Sequence, residues 1–171
     1  MPQWITPDPA GLDRAALENA LKTTLAAVIS ILVSRLLRLP DDYWAAVTTM
    51  VVMQSTLGAS FPVSFLRFIG TAIGAVAGAV LAIAFGDNLY MFGAGIFALG
   101  LLTAAVHLDR SAFRFAGITV AIVVLVPRDE SPWIIAFHRF AEISVGIVVG
   151  LVVIFLWPER SAAAASKSAH S

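Results

Sequence analysis

The sequence has no cysteine, which excludes disulfide staples and thiolate metal sites. Charge is nearly as scarce: Lys and Arg together number 11, Asp and Glu 11, and charged residues fill 13% of 171 positions. A nucleic-acid binder needs a basic stripe to neutralise phosphates, and a net charge of zero leaves none to expect. An ordinary soluble domain does not fit either, because about a quarter of such a chain is charged and those groups cover its outside. Nucleophile elbows, paired His ligands and phosphate-cradling glycine loops are also missing. Neither an enzyme nor a bound cofactor is expected, and a lone His on the last apolar segment is too little for a metal site. The first residues contain no Lys or Arg before Arg14 and carry Asp8 and Asp13. A secretory leader has the opposite charge pattern, so this stretch reads as mature sequence.

What the chain has in excess is apolar surface, 59% of its residues. A spanning helix needs about 20 apolar residues, and lipid leaves no backbone polar group a partner outside the helix. Six apolar segments lie between polar breaks: Leu17 to Leu37, Tyr43 to Gly58, Val63 to Phe85, Leu89 to His107, Ala112 to Val126 and Trp133 to Trp157. The breaks are Pro40-Asp41-Asp42, Ser60-Phe61-Pro62, Gly86-Asp87-Asn88, Asp109-Arg110-Ser111 and the stretch from Pro127 to Pro132. The expected fold is an all-α, polytopic transmembrane helical bundle of six spans, with the second and fifth short. Residues 1–16 form an N-terminal cytoplasmic segment, 17–157 the membrane domain and 158–171 a disordered tail too poor in apolar groups to order itself. Arg14, Lys22, Arg67, Arg110, Arg114, Arg160 and Lys167 sort to the side of the termini, against Arg35, Arg38, Arg128 and Arg139. The positive-inside bias then places both termini in the cytoplasm of a multi-pass plasma, or bacterial inner, membrane protein.

Shifting the sequence by about 72 residues brings Ala46-Val47-Thr48 near Gly117-Ile118-Thr119, Arg67-Phe68 onto Arg139-Phe140, and Gly74 and Gly78 onto Gly146 and Gly150. The short second segment falls on the short fifth. A unit of three spans is odd, so two copies face opposite ways, and the expected architecture is a pair of inverted three-helix repeats. Such repeats recur in secondary transporters, where paired interrupted segments mark the substrate path. A duplicated scaffold with no pathway is the alternative.

Gly70, Gly74 and Gly78, and again Gly146 and Gly150, recur every fourth residue and line one helix face. They read as packing rows, within the bundle or between subunits, though apolar helices are rich in glycine in any case. Ionisable groups inside a span are costly, so each needs a partner or a wet cavity. Lys22, Arg67 and Arg114 approach from one side, with Gln54, Ser55 and Thr56 at similar depth, and together could hold an organic anion; snorkelling to lipid headgroups explains any one of them equally. His138, Arg139 and Glu142 share a helix face by their spacing of three and four. Glu142 is about 15 Å in from Trp133, at roughly 1.5 Å per residue. The group reads either as a stabilising ion pair or as a gate or proton-coupling carboxylate.

The ordered set Pro40-Asp41-Asp42-Tyr43-Trp44-Ala45, Gln54-Ser55-Thr56-Leu57-Gly58, Arg67-Phe68-Ile69-Gly70-Thr71, His138-Arg139-Phe140 and Trp157-Pro158-Glu159 resembles the fusaric acid resistance (FUSC) superfamily over nearly the whole chain. That resemblance implies organic-anion movement across a plasma membrane, as in aromatic acid exporters. Its arginine-to-glycine motif maps onto Arg67, Gly70 and Gly74, and its histidine-arginine motif onto His138 and Arg139. Larger members carry two six-helix halves and a soluble domain, whereas this length holds one half, so a homodimer is expected. The leading expectation is a transporter or channel subunit exporting organic, including aromatic, carboxylates, with membrane lipid and a small organic anion as its partners. The alternative is an accessory membrane protein that packs on a partner through its glycine rows.

Overall fold

A computed structural model describes residues 14–53, 57–127 and 129–157. It contains six helices, α1 (Arg14–Leu36), α2 (Tyr43–Val52), α3 (Leu57–Phe85), α4 (Leu89–Ala105), α5 (Arg110–Leu125) and α6 (Pro132–Leu156). Turn chemistry sets most of the ends. The Asn88 side chain accepts from the amides of Tyr90 and Met91 at the start of α4, and Asp109 accepts from Ser111 at the start of α5. Pro132 occupies the first helical position of α6, where no N–H is missed. α1 and α4 end in the same way: Arg38 and His107 take left-handed backbone (φ 56° and 53°). Leu39 and Leu108 then donate back to Ser34 and Thr103, closing a Schellman turn on each helix.

Two boundaries differ from expectation. The second segment is a helix only from Tyr43 to Val52, and the Ser60-Phe61-Pro62 break lies inside α3. Pro62 is the sixth residue of α3, past the first turn, so its missing N–H forfeits the bond to the carbonyl of residue 58 and the helix continues through it. α2 is therefore about 15 Å long, half the ~30 Å hydrocarbon depth. Among the described residues three helices are long and apolar enough to cross a bilayer, over Leu17–Leu36, Ser60–Phe85 and Pro132–Leu156; α2 and α4 are shorter apolar helices. The terminal segments expected at 1–16 and 158–171 lie outside the described residues, apart from the first turn of α1.

Glycines fix the helix pairing. A Cβ on Gly74 would lie 2.4 Å from the Ala116 carbonyl oxygen, and one on Gly146 would lie 2.4 Å from that of Ala45. Only glycine permits such backbone contact. Gly70 abuts Ala112, and Gly78 abuts Val120 and Val123, so α3 packs along α5 with numbers rising together, and the two helices run parallel. Gly146 and Gly150 in turn meet Ala45, Thr48, Thr49 and Val52, so α6 runs parallel to α2. The rows thus face helices of the same chain.

These pairings divide the bundle into two bodies. Ala26, Val52, Met53, Ile143, Ile147 and Ile154 join α1, α2 and α6. Leu99, Ala116, Val120 and Val124, with Ile73 and Leu81 against them, join α3, α4 and α5. The bodies meet along α3 and α6, where Ala75 and Ala79 pack with Ile135 and Ala136 and the rings of Phe68 and Phe140 stand 4.9 Å apart.

Candidate functional site

The distribution of polarity is inverted relative to a water-soluble protein. Phe97 and Phe155 are 70% and 77% exposed, while Ser30, Ser34, Thr48, Thr49, Thr71, Thr119, Arg139 and Glu142 are almost wholly enclosed. Arg139 and Glu142 are the largest fully buried side chains among the described residues.

Arg139 and Glu142 lie one turn apart on α6, and Arg139 Nη2 forms an ion pair with Glu142 Oε2 at 2.9 Å. The same guanidinium also donates to Asp41 Oδ2, from the turn between α1 and α2. Asp41 closes the ring, its backbone N–H donating to Glu142 Oε1 at 2.9 Å. Trp44 backs the arginine, with the guanidinium carbon 5.4 Å from its ring centroid. Asp42 holds Arg35 at the end of α1. The Pro40-Asp41-Asp42 turn is thereby pinned to α6 by charge, and the desolvation that burying Arg139 demands is offset by two carboxylates.

His138 does not join this ring. Its Nδ1 lies 3.6 Å from a Glu130 carboxylate oxygen, and the side chain is half-buried.

Arg67, on α3, is 5% exposed. Its Nη2 donates to Thr48 Oγ1 on α2 at 3.0 Å, and its guanidinium carbon sits 4.8 Å over the Phe115 ring of α5. Among the described residues no carboxylate forms an ion pair with it. Its Nε, and the Ser64 hydroxyl one turn earlier on α3, are enclosed without a hydrogen-bond partner.

Of the cations expected beside Arg67, Lys22 is equally buried, on α1 one turn before Ala26. Arg114 is exposed on α5 and faces away from the bundle. It lies near Asp109, whose carboxyl is held below its ordinary value first by the Ser111 backbone N–H and hydroxyl and then by Arg114 and Arg110. Gln54, with Ser55 and Thr56, lies outside the described residues. An apolar groove of about 280 Å³ opens between α3 and α6, lined by Ala72, Ala75, Val76, Trp133, Ala136, Phe137 and Phe140.

The contacts of the two arginines correspond in number. Arg67 and Arg139 differ by 72, and the rings they face, Phe115 and Trp44, by 71. Gly70 against Ala112 matches Glu142 against Asp41. Gly74 against Ala116 matches Gly146 against Ala45, and Gly78 against Val120 and Val123 matches Gly150 against Thr49 and Val52. Sequence reasoning missed Asp41, Trp44 and Thr48 as partners of the arginines, and the shift, which relates positions and not contacts, does not supply them.

A helical bundle with apolar side chains outside and its charges inside is a polytopic membrane protein. Its family is set by residues 16–171, which match the model of the Fusaric acid resistance protein family: the chain belongs to that family. Over 155 residues it is 32% identical to the "Uncharacterized transporter YdhK" of Escherichia coli K12, a match covering 85% of this chain and 23% of YdhK. It is 28% identical to the "Inner membrane protein YeeA" of the same organism, covering 84% and 41%. It is 31% identical to the "p-hydroxybenzoic acid efflux pump subunit AaeB", also from that organism, covering 83% and 24%. The chain therefore spans about a quarter of YdhK and AaeB and less than half of YeeA. No solved structure gives a significant match.

Proposed function

We propose that the chain is a subunit of an inner-membrane transporter that exports organic carboxylates, aromatic ones among them, and that works through two inverted three-helix units as a homodimer with cytoplasmic termini. The observation that carries this reading is the matched set of contacts around Arg67 and Arg139. A shift of 71 or 72 residues exchanges α3 with α6 and α5 with α2, which supports a two-fold relation between opposed repeats, as does the contact of Phe68 with its counterpart Phe140. Opposed repeats with a substrate site at their junction recur in transporters that work by alternating access, and a buried arginine there supports an anion as cargo. The name of the relative AaeB supports an aromatic carboxylate as cargo.

The accessory reading had its motive in glycine rows free to bind a partner. Both rows are covered by α5 and α2 of the same chain, which removes that motive.

Purified protein in proteoliposomes is expected to move p-hydroxybenzoate faster than protein-free vesicles. Flux equal to that of empty vesicles, for this and other aromatic and aliphatic carboxylates, refutes the proposal. Chemical crosslinking in the native membrane is expected to trap a dimer, and reporters fused at both ends to give cytoplasmic signals.

A further inference from the structure

Arg67 and Arg139 occupy matched positions, yet their charge environments are opposite. Arg139 is neutralised within the chain by Asp41 and Glu142. At the positions that correspond to these acids, the Arg67 half has Ala112 and Gly70, neither of which can carry charge. Arg67 instead holds a neutral hydroxyl, Thr48, and an aromatic face, Phe115. Its own Nε and the Ser64 hydroxyl, one turn earlier on α3, are enclosed without an acceptor, and what separates the two arginines is the counter-charge. Buried donors without acceptors are rare and call for a missing ligand or water, and an enclosed cation without a counter-charge is costlier still.

We infer that Arg67, Ser64 and Thr48 form the recognition site for the carboxylate of the transported anion, with Phe115 against its aromatic ring, and that the ring of charges at Arg139 is a permanent internal copy of the same salt bridge. This rests on the transport reading and adds to it a division of labour. The guanidinium of Arg67 receives an external carboxylate where Arg139 has received Asp41 and Glu142, so Arg67 is a binding residue and Arg139 a positioning one. With Arg67 and Ser64 almost fully enclosed, the site is closed as it stands, and ligand enters when the α3 body separates from α2.

The test is binding of p-hydroxybenzoate and of its uncharged amide to detergent-purified full-length protein, read by tryptophan fluorescence alongside thermal melting. The native protein is expected to prefer the acid to the amide at least tenfold. Arg67→Gln is expected to bring that ratio close to one with amide affinity kept, and Arg67→Lys to retain part of the preference. Ser64→Ala, a change a helix tolerates, is expected to weaken acid binding about tenfold and amide binding little, as the loss of one hydrogen bond to charge. It decides the matter should Arg67→Gln not fold. Arg139→Gln is expected to lower the melting temperature and leave the acid-to-amide ratio of the folded fraction unchanged. Acid preference that survives both Arg67→Gln and Ser64→Ala, or that disappears on Arg139→Gln instead, overturns the assignment while leaving carboxylate transport standing. A native protein that binds no carboxylate overturns both.

Discussion

Replacing Gly146 with alanine tests the backbone contact that holds α2 to α6. The new methyl would sit 2.4 Å from the Ala45 carbonyl oxygen and 2.7 Å from Thr48 Cβ. That is about 1 Å short of ordinary contact. Neither atom is the end of a flexible side chain, so the helices must part. Thr49 Oγ1, which donates to the Gly146 carbonyl at 3.0 Å, then loses its reach. Overpacking of this kind costs about 1–3 kcal/mol and the hydrogen bond about 1 kcal/mol. Alanine's better helix propensity returns about 1 kcal/mol, leaving a net loss of roughly 2 kcal/mol. For a chain of this size that lowers the melting temperature by roughly 4–8 °C. Gly74→Ala, against Ala116, should match it. Gly150→Ala should be nearly neutral, because the methyl would meet Val52 at 3.3 Å or more. Gly93→Ala, with nothing near, should stabilise by about 0.5–1 kcal/mol. Melting of the four variants in one detergent checks the ranking. If Gly146→Ala and Gly93→Ala shift the midpoint in the same direction, the argument from close approach is wrong.

Arg139→Met leaves Asp41 and Glu142 without their shared cation and should cost about 3–5 kcal/mol, measured by denaturant unfolding in detergent; adding Glu142→Gln should recover part of that loss. Arg38→Gly and His107→Gly relieve left-handed backbone at the two matched turns and should each stabilise by up to about 1 kcal/mol, seen as a raised melting midpoint. The Asp109 carboxyl is depressed in the folded chain, so its contribution is present above the unfolded value of about 3.9 and lost as pH falls through the lower folded one. Hydrogen exchange at the Ser111 amide should therefore show protection lost in that acid range, and Asp109→Ala should abolish the pH dependence.

The helices were legible because apolar runs broken by polar turns leave few other solutions in lipid. The breaks at Gly86-Asp87-Asn88, Asp109-Arg110-Ser111 and Pro127 to Pro132 each fall at the start of a helix in the structure. What misled was treating Pro62 as a stop: near the start of a helix a proline forfeits a single bond, and the long apolar run after it outweighs that loss. The spacing of Arg139 and Glu142 disclosed their pairing, because neighbours one turn apart are a local matter. Asp41 lies about a hundred residues away, and nothing local links it to α6. The grouping of Arg67 with Arg114 assumed that equal depth means a common mouth. Depth does not fix the direction a side chain takes around its helix, and Arg114 points outward.

The helices that are neighbours in sequence are not the ones that travel together. α2 is fastened onto α6, and α3 onto α5, at glycines where backbone meets backbone, flanked by the side chains of Thr48, Val52, Phe115 and Val123. α3 meets α6 through side chains instead, the rings of Phe68 and Phe140 among them, 4.9 Å apart. A rocking motion would thus swing helices one, two and six against helices three, four and five, pivoting on a pair of phenylalanines, and spin labels placed across that pivot would report the swing that labels within either trio would miss.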